Sequence, residues 1–195
     1  MEIIPCVTLK NYKKKNYSIF SESIPKYIKE GEKLYILDLD GIEKNKPSLC
    51  FYQKFSSIYD LWIDCGPRNI GDVVDIFMTG ATGVTIRRTL SSSLNITDIR
   101  DISENKVYLN IDGSDFKNFK SDSSFLKDFD GFVNFKNKEE IEQDIEFDNY
   151  KNEIQMLNKI YFYENNANNK SFWEGLGAKG LLVDIDKLKE FKNGI

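Results

Sequence analysis

The sequence predicts a closed, compact α/β barrel of the (β/α)8 type, and three observations carry that prediction. Eight short runs rich in β-branched and aromatic residues recur at near-regular intervals, an amphipathic stretch follows each, and the runs are apolar along most of their length. Strands that alternate with helices are parallel with right-handed crossovers, and continuous apolar runs are buried on both faces. An open doubly wound sheet commonly uses about five or six strands, whereas eight βα units suit a barrel. At 195 residues the chain is shorter than the roughly 250 typical of such barrels, so short helices and minimal loops are expected.

In chain order the strands are expected at 2–8 (EIIPCVT), 33–39 (KLYILDL), 59–64 (YDLWID), 83–87 (GVTIR), 105–111 (NKVYLNI), 131–135 (GFVNF), 159–163 (KIYFY) and 180–184 (GLLVD). Helices are expected at 21–30, 48–57, 69–79, 95–103, 122–129, 149–158, 169–176 and 186–193. The basic run KNYKKKNY (10–17) reads as a loop over the barrel mouth, and the acidic stretch 139–148 as a solvated face. Residues 80–86 (GATGVTI) and 177–183 (GAKGLLV) share Gly-Ala-x-Gly before an apolar strand. One domain over 1–195 is therefore expected, with half-barrels of approximately 1–104 and 105–195.

Composition narrows the chemistry. Hydrophobic residues make up 41% of the chain, enough to bury a core, and the formal net charge of −4 offers no general attraction to nucleic acid or to an anionic membrane. There is no histidine, so triads, imidazole dyads and histidine metal sites are excluded. Acid or base work falls to carboxylates, Lys, Cys or Tyr. The three cysteines, Cys6, Cys50 and Cys65, have no metal-ligand spacing and read as reduced thiols. With no secretory leader pattern at MEIIPCVTLK and no long apolar run, a cytoplasmic location is expected.

The segments IIPCVTLK (3–10), LDLDGIEKNKP (37–47), IDCGPRNIGDV (63–73), Gly80-Ala81 with VTIRR (84–88), and NID (110–112) follow the motif order of a known family. The chain resembles the histidine-biosynthesis barrels, the HisA ribotide isomerase and its sister cyclase HisF, as a shortened and diverged relative. The resemblance implies a barrel of duplicated halves that handles a phosphorylated, sugar-type ligand at the C-terminal face. It also assigns residues. Thr8 stands where the family ends its first strand with a catalytic aspartate, and Asp112 matches the symmetry-related acid on strand five. Gly66 and Arg68 remain from the glycine-rich turn after strand three. Arg87-Arg88, Glu164-Asn165-Asn166 and Asp184-Ile185 replace the small residues after strands four, seven and eight.

Each candidate carries two readings. Asp112 is an acid or base, or an Asx turn or helix cap in IDGSD. Asp38 contacts substrate or ties down rim amides; Asp38 and Asp40 are expected to face one way and Leu37 and Leu39 the other. Arg68, Arg87 and Arg88 form an anion clamp with Lys10 nearby, or pair with Asp64 and other rim acids. Cys65 is a nucleophile only if the arginines lower its pKa. No cofactor is implied and no metal site is assigned, although Asp38, Asp64 and Asp184 are the residues a magnesium ion would use. Because Thr8 does not titrate near neutrality, the sequence argues against the histidine-pathway isomerase itself. The leading expectation is a metabolic enzyme with isomerase-like or lyase-like acid/base chemistry on a small anionic metabolite; the alternative is a non-catalytic barrel that binds a ligand or partner.

Overall fold

A computed structural model of the chain describes residues 1–11, 17–111, 126–143, 152, 154 and 159–192. Eight parallel strands close on themselves in sequence order. They are β1 (Glu2–Leu9), β2 (Lys33–Asp38), β3 (Asp60–Asp64), β4 (Gly83–Arg87), β5 (Lys106–Asn110), β6 (Gly131–Asn134), β7 (Ile160–Tyr163) and β8 (Gly180–Asp184). Closure comes from β1, which pairs with β2 on one side and with β8 on the other, Ile4 lying opposite Leu182. The described helices are α1 (Tyr17–Ser23), α2 (Leu39–Lys44), α3 (Leu49–Phe55), α4 (Ile70–Met78), α5 (Ile96–Ile102), α6 (Lys138–Glu142), α7 (Lys170–Leu176) and α8 (Leu188–Lys192). The fold is a TIM-type barrel.

The apolar strands are buried on both faces because they serve two cores. Outward residues such as Val7, Leu34, Ile36, Leu61, Val107 and Phe162 pack beneath the helices, while inward residues Ile4, Cys6, Tyr35, Trp62, Tyr108, Val133, Tyr161 and Leu182 fill the interior. Four large rings in so narrow a barrel need compensating gaps. Glycine supplies three of them in register: Gly83 lies opposite Trp62, Gly131 opposite Tyr108 and Gly180 opposite Tyr161. A methyl group at Gly180 would sit 2.9 Å from the Tyr161 ring, and one at Gly131 would sit 2.8 Å from the Lys159 carbonyl oxygen. Trp62 stacks on Tyr108 at 3.7 Å and meets Tyr35 and Tyr161 edge-on. Its indole N–H donates to Thr85 Oγ1 at 2.8 Å, so the plug leaves no unpaired indole donor.

Gly80 and Gly177, the first residues of the two Gly-Ala-x-Gly segments, take left-handed φ values of 89° and 91° just beyond α4 and α7. Only glycine does so at little cost. The fourth residue of each segment opens a strand beside an aromatic ring, so the repeated spacing performs the same task twice.

Three elements differ from the sequence expectation, the first being the helix expected at 21–30, which is α1 at Tyr17–Ser23 followed by a 3-10 turn at Ile24–Lys26 around Pro25. Strand β2 stops at Asp38, and Leu39 begins a helix. The expected alternation therefore ends there, and Leu37 and Leu39 both belong to the interior cluster or pack against it. Residues 138–142 form α6, opened by a capping box in which Asn137 and Glu140 exchange backbone hydrogen bonds; its acids Glu139, Glu140 and Glu142 are exposed, as a solvated face requires, and residues 144–148 lie outside the described residues.

Candidate functional site

Active sites of such barrels lie where the strands end, so the inward residues nearest the C-terminal mouth define the candidate site. Alternation along each strand selects Thr8, Asp64, Arg87, Asn110, Tyr163 and Asp184. Five residues form an arc across β3, β4, β7 and β8 and the segment after β6. Arg87 Nε and Nη2 donate to the two Asp64 oxygens at 2.8 and 2.7 Å, a bidentate pair. The guanidinium carbon lies 5.1 Å from the centre of the Phe135 ring, which in turn lies 5.6 Å from the Tyr163 ring. Tyr163 then donates to Asp184 Oδ2 at 2.8 Å.

At Asp184 the support is unusually complete on one side. Asn165 Nδ2 donates to the same Oδ2 at 2.8 Å and to the Tyr163 hydroxyl at 2.9 Å, while its Oδ1 accepts from the Asp184 amide at 2.9 Å. The other carboxylate oxygen, Oδ1, is shielded from solvent and has no hydrogen-bond partner among the described residues. Asp64 is saturated by contrast: besides Arg87 it accepts from the Tyr35 hydroxyl at 2.8 Å, and it is wholly buried. Burial alone would lower the Arg87 pKa, and the adjoining Asp64 charge reverses that, holding the guanidinium charged. Burial raises the Tyr163 pKa, and its hydrogen bond to Asp184 raises it further. The Cys6 thiol, on the strand position beside Asp184, is pushed well up by burial and then by the Asp184 charge. It stays protonated.

The remaining predicted residues take separate places. Thr8 is exposed at the mouth and Lys10 is exposed just beyond β1. Asp38 is completely buried on the helical side, where it caps α2 by accepting from the amides of Asp40 and Gly41 at 3.1 Å, from the Ser48 amide at 2.8 Å and from the Tyr52 hydroxyl. Asp40 pairs with Lys44 at 2.6 Å. Gly66 has a φ of 65°, and Arg68 folds back to donate to the carbonyls of Gly66 and Ile42, the latter at 2.7 Å, locking the loop after β3. Arg88 is exposed in the turn after β4. The three arginines thus have distinct surroundings, and Arg87 spends its fork on Asp64. Asp112 lies outside the described residues.

One expectation changes on this geometry, and two alternatives that the sequence left open gain no support from it. Glu164, counted with the mouth acids in the sequence, is buried and accepts from the Asn166 amide, Asn169 Nδ2 and Trp173 Nε1 at 2.8 to 2.9 Å, anchoring α7. Cys65 has its pKa pushed upward by burial and then by the Asp64 and Asp38 charges, so the arginines do not activate it. Among the described residues no three His, Cys, Asp or Glu side chains come together as a metal site, and Asp38 lies on the other side of the barrel wall from Asp64 and Asp184.

Tyr163, Phe135 and Tyr35 carry no signal singled out in the sequence, and Asn165 and Cys6 are named there without a role beside Asp184. Alternation in IYFY could have found Tyr163: with Ile160 and Phe162 in the outer core, Tyr161 and Tyr163 must point inwards. No family model matches the chain, and a search of curated proteins returns no relative. Among the described residues no helix is long and apolar enough to cross a membrane.

Proposed function

We propose that the mouth binds a small sugar-type metabolite and that Asp184 is the group around which binding and any acid/base chemistry are organised. The observation that carries this reading is the Asp184 carboxylate itself, with Oδ2 fixed by Tyr163 and Asn165 while Oδ1 has no hydrogen-bond partner among the described residues. A carboxylate held in one orientation beside aromatic rings suits a ligand with hydroxyl groups on its edge and C–H bonds on its face. The Phe135 and Tyr163 rings supply such a surface, and Thr8 supplies a further hydroxyl.

A phosphate on the ligand would meet the rim at Lys10, because Arg87 gives Nε and Nη2 to Asp64 and Arg68 donates to the Gly66 and Ile42 carbonyls. Asp112 remains the proposed second acid. Resemblance to the histidine-biosynthesis barrels supports a sugar-type ligand and an isomerase-like proton transfer, and the three free cysteines fit a cytoplasmic enzyme. A second reading, a barrel that binds its ligand without turnover, is favoured by the non-titrating Thr8.

Thermal-shift titration with aldoses, ketoses and their phosphates tests the proposal, because saturation at about 100 times Kd raises stability by about 2.7 kcal/mol. Stabilisation of the wild type that is lost in Asp184→Asn supports the mouth as the site. Equal stabilisation of both proteins refutes it. Incubating the stabilising compound with the protein and following it by NMR then separates turnover from binding alone.

A further inference from the structure

We propose that the groove between α4 and α5 docks a basic, amphipathic protein segment. Apart from Met1, every exposed large hydrophobic residue among the described ones is here: Ile70, Val74 and Met78 on α4 and Ile102 on α5. Met78 is 79% exposed and Ile102 51%. The three on α4 are spaced by four residues and so form one line along the helix. Handedness places that line. On α5, Arg100 follows the buried Ile99 and leans toward Asp130 ahead of β6, bonding it at 2.6 Å, so Asp98 and Ile102 occupy the flank facing α4. Both helices run against their strands, so Val74, following the buried Val73, and Met78, following Phe77, occupy the α4 flank facing α5. The two helices are neighbours in the ring, and their common direction brings Met78 and Ile102 to the same end of the groove.

Charge identifies the occupant. Asp98, Asp101 and Glu104 lie along and just beyond α5, are exposed, and make no ion pair among the described residues. A second copy seated across a two-fold axis would add a second set of the same carboxylates to the contact and no basic group to pair with them. A helix with an apolar face flanked by Lys or Arg would cover the stripe and meet the acids.

The probe is a synthetic helix of leucine and lysine about four turns long, with a leucine and glutamate isomer as its control. Binding is followed by fluorescence anisotropy at several salt concentrations and located by hydrogen exchange. The lysine peptide should bind at least about tenfold more tightly than its isomer, with protection confined to residues 70–78 and 96–102. Val74→Asp with Met78→Asp should remove that binding, and Asp98→Asn with Asp101→Asn should flatten its salt dependence; circular dichroism confirms that each variant is folded. Equal binding of the two peptides, or protection elsewhere, would overturn the proposal. Self-association of the protein that Met78→Asp abolishes would also overturn it, in favour of a second copy.

Discussion

Arg87 and Asp64 meet side-on through two parallel hydrogen bonds at the C-terminal ends of adjoining strands, with Asp64 wholly shielded from water. Each charge is acceptable there only because of the other. Arg87→Ala should therefore cost about 3–5 kcal/mol by stranding a buried carboxylate, whereas replacing both residues with Leu and Met should cost far less. Urea unfolding of the two variants measures the difference.

Asp38 gathers three amides and a tyrosine hydroxyl on one carboxylate. Asp38→Ala removes a helix cap and orphans buried donors together, so a loss of about 3 kcal/mol or more is expected. Asp38→Asn keeps an acceptor and should lose less. Thermal unfolding ranks the two.

Glycine substitutions in the barrel should follow the space available. Gly131→Ala and Gly180→Ala meet atoms at 2.8 and 2.9 Å, including backbone, whereas the nearest atom to a methyl at Gly83 is a ring carbon at 3.3 Å. Overpacking of the first kind costs about 1–3 kcal/mol, or several degrees of Tm for a chain of this size. Gly83→Ala should be milder, and calorimetry provides the test.

Thiol chemistry should divide the cysteines by burial. Cys50 is exposed, whereas Cys6 and Cys65 are buried and hold their protons more tightly folded than unfolded. Their raised folded pKa values contribute stability that is fully present below about pH 8.5, where unfolded thiols begin to ionise, and that declines as pH rises above it. Native protein should thus react rapidly with a thiol reagent at one residue and slowly at two, and its stability should fall on the alkaline side. Cys6→Ala with Cys65→Ala should flatten that fall.

Most of the architecture was legible because barrel strands announce themselves twice, by apolar runs and by the glycine or cap that precedes them. Gly83–Arg87 and Gly180–Asp184 fall where the sequence placed them. Leu39–Lys44 was missed because Leu37-Asp38-Leu39-Asp40 has the period of a strand; the turn is decided by the Asp38 side chain capturing amides, which periodicity does not register. The capping box at Asn137 and Glu140 was readable but was masked by the weight of charge around it. At the mouth, the sequence leaves Arg87 either an anion ligand or a partner of Asp64, 23 positions away, and only the folded geometry, with two hydrogen bonds between them, decides for Asp64. Tyr163 and Asn165 acquire meaning only when β7 and β8 lie side by side.

The aromatic and glycine plug makes this barrel a vessel with one opening. Trp62, Tyr35, Tyr108 and Tyr161 close it below the mouth, so whatever arrives beside Asp184 must leave by the route it came. On the reading proposed above, incoming and outgoing molecules would share a single doorway: a product that lingers would also be a cork, and its inhibition should be competitive with substrate.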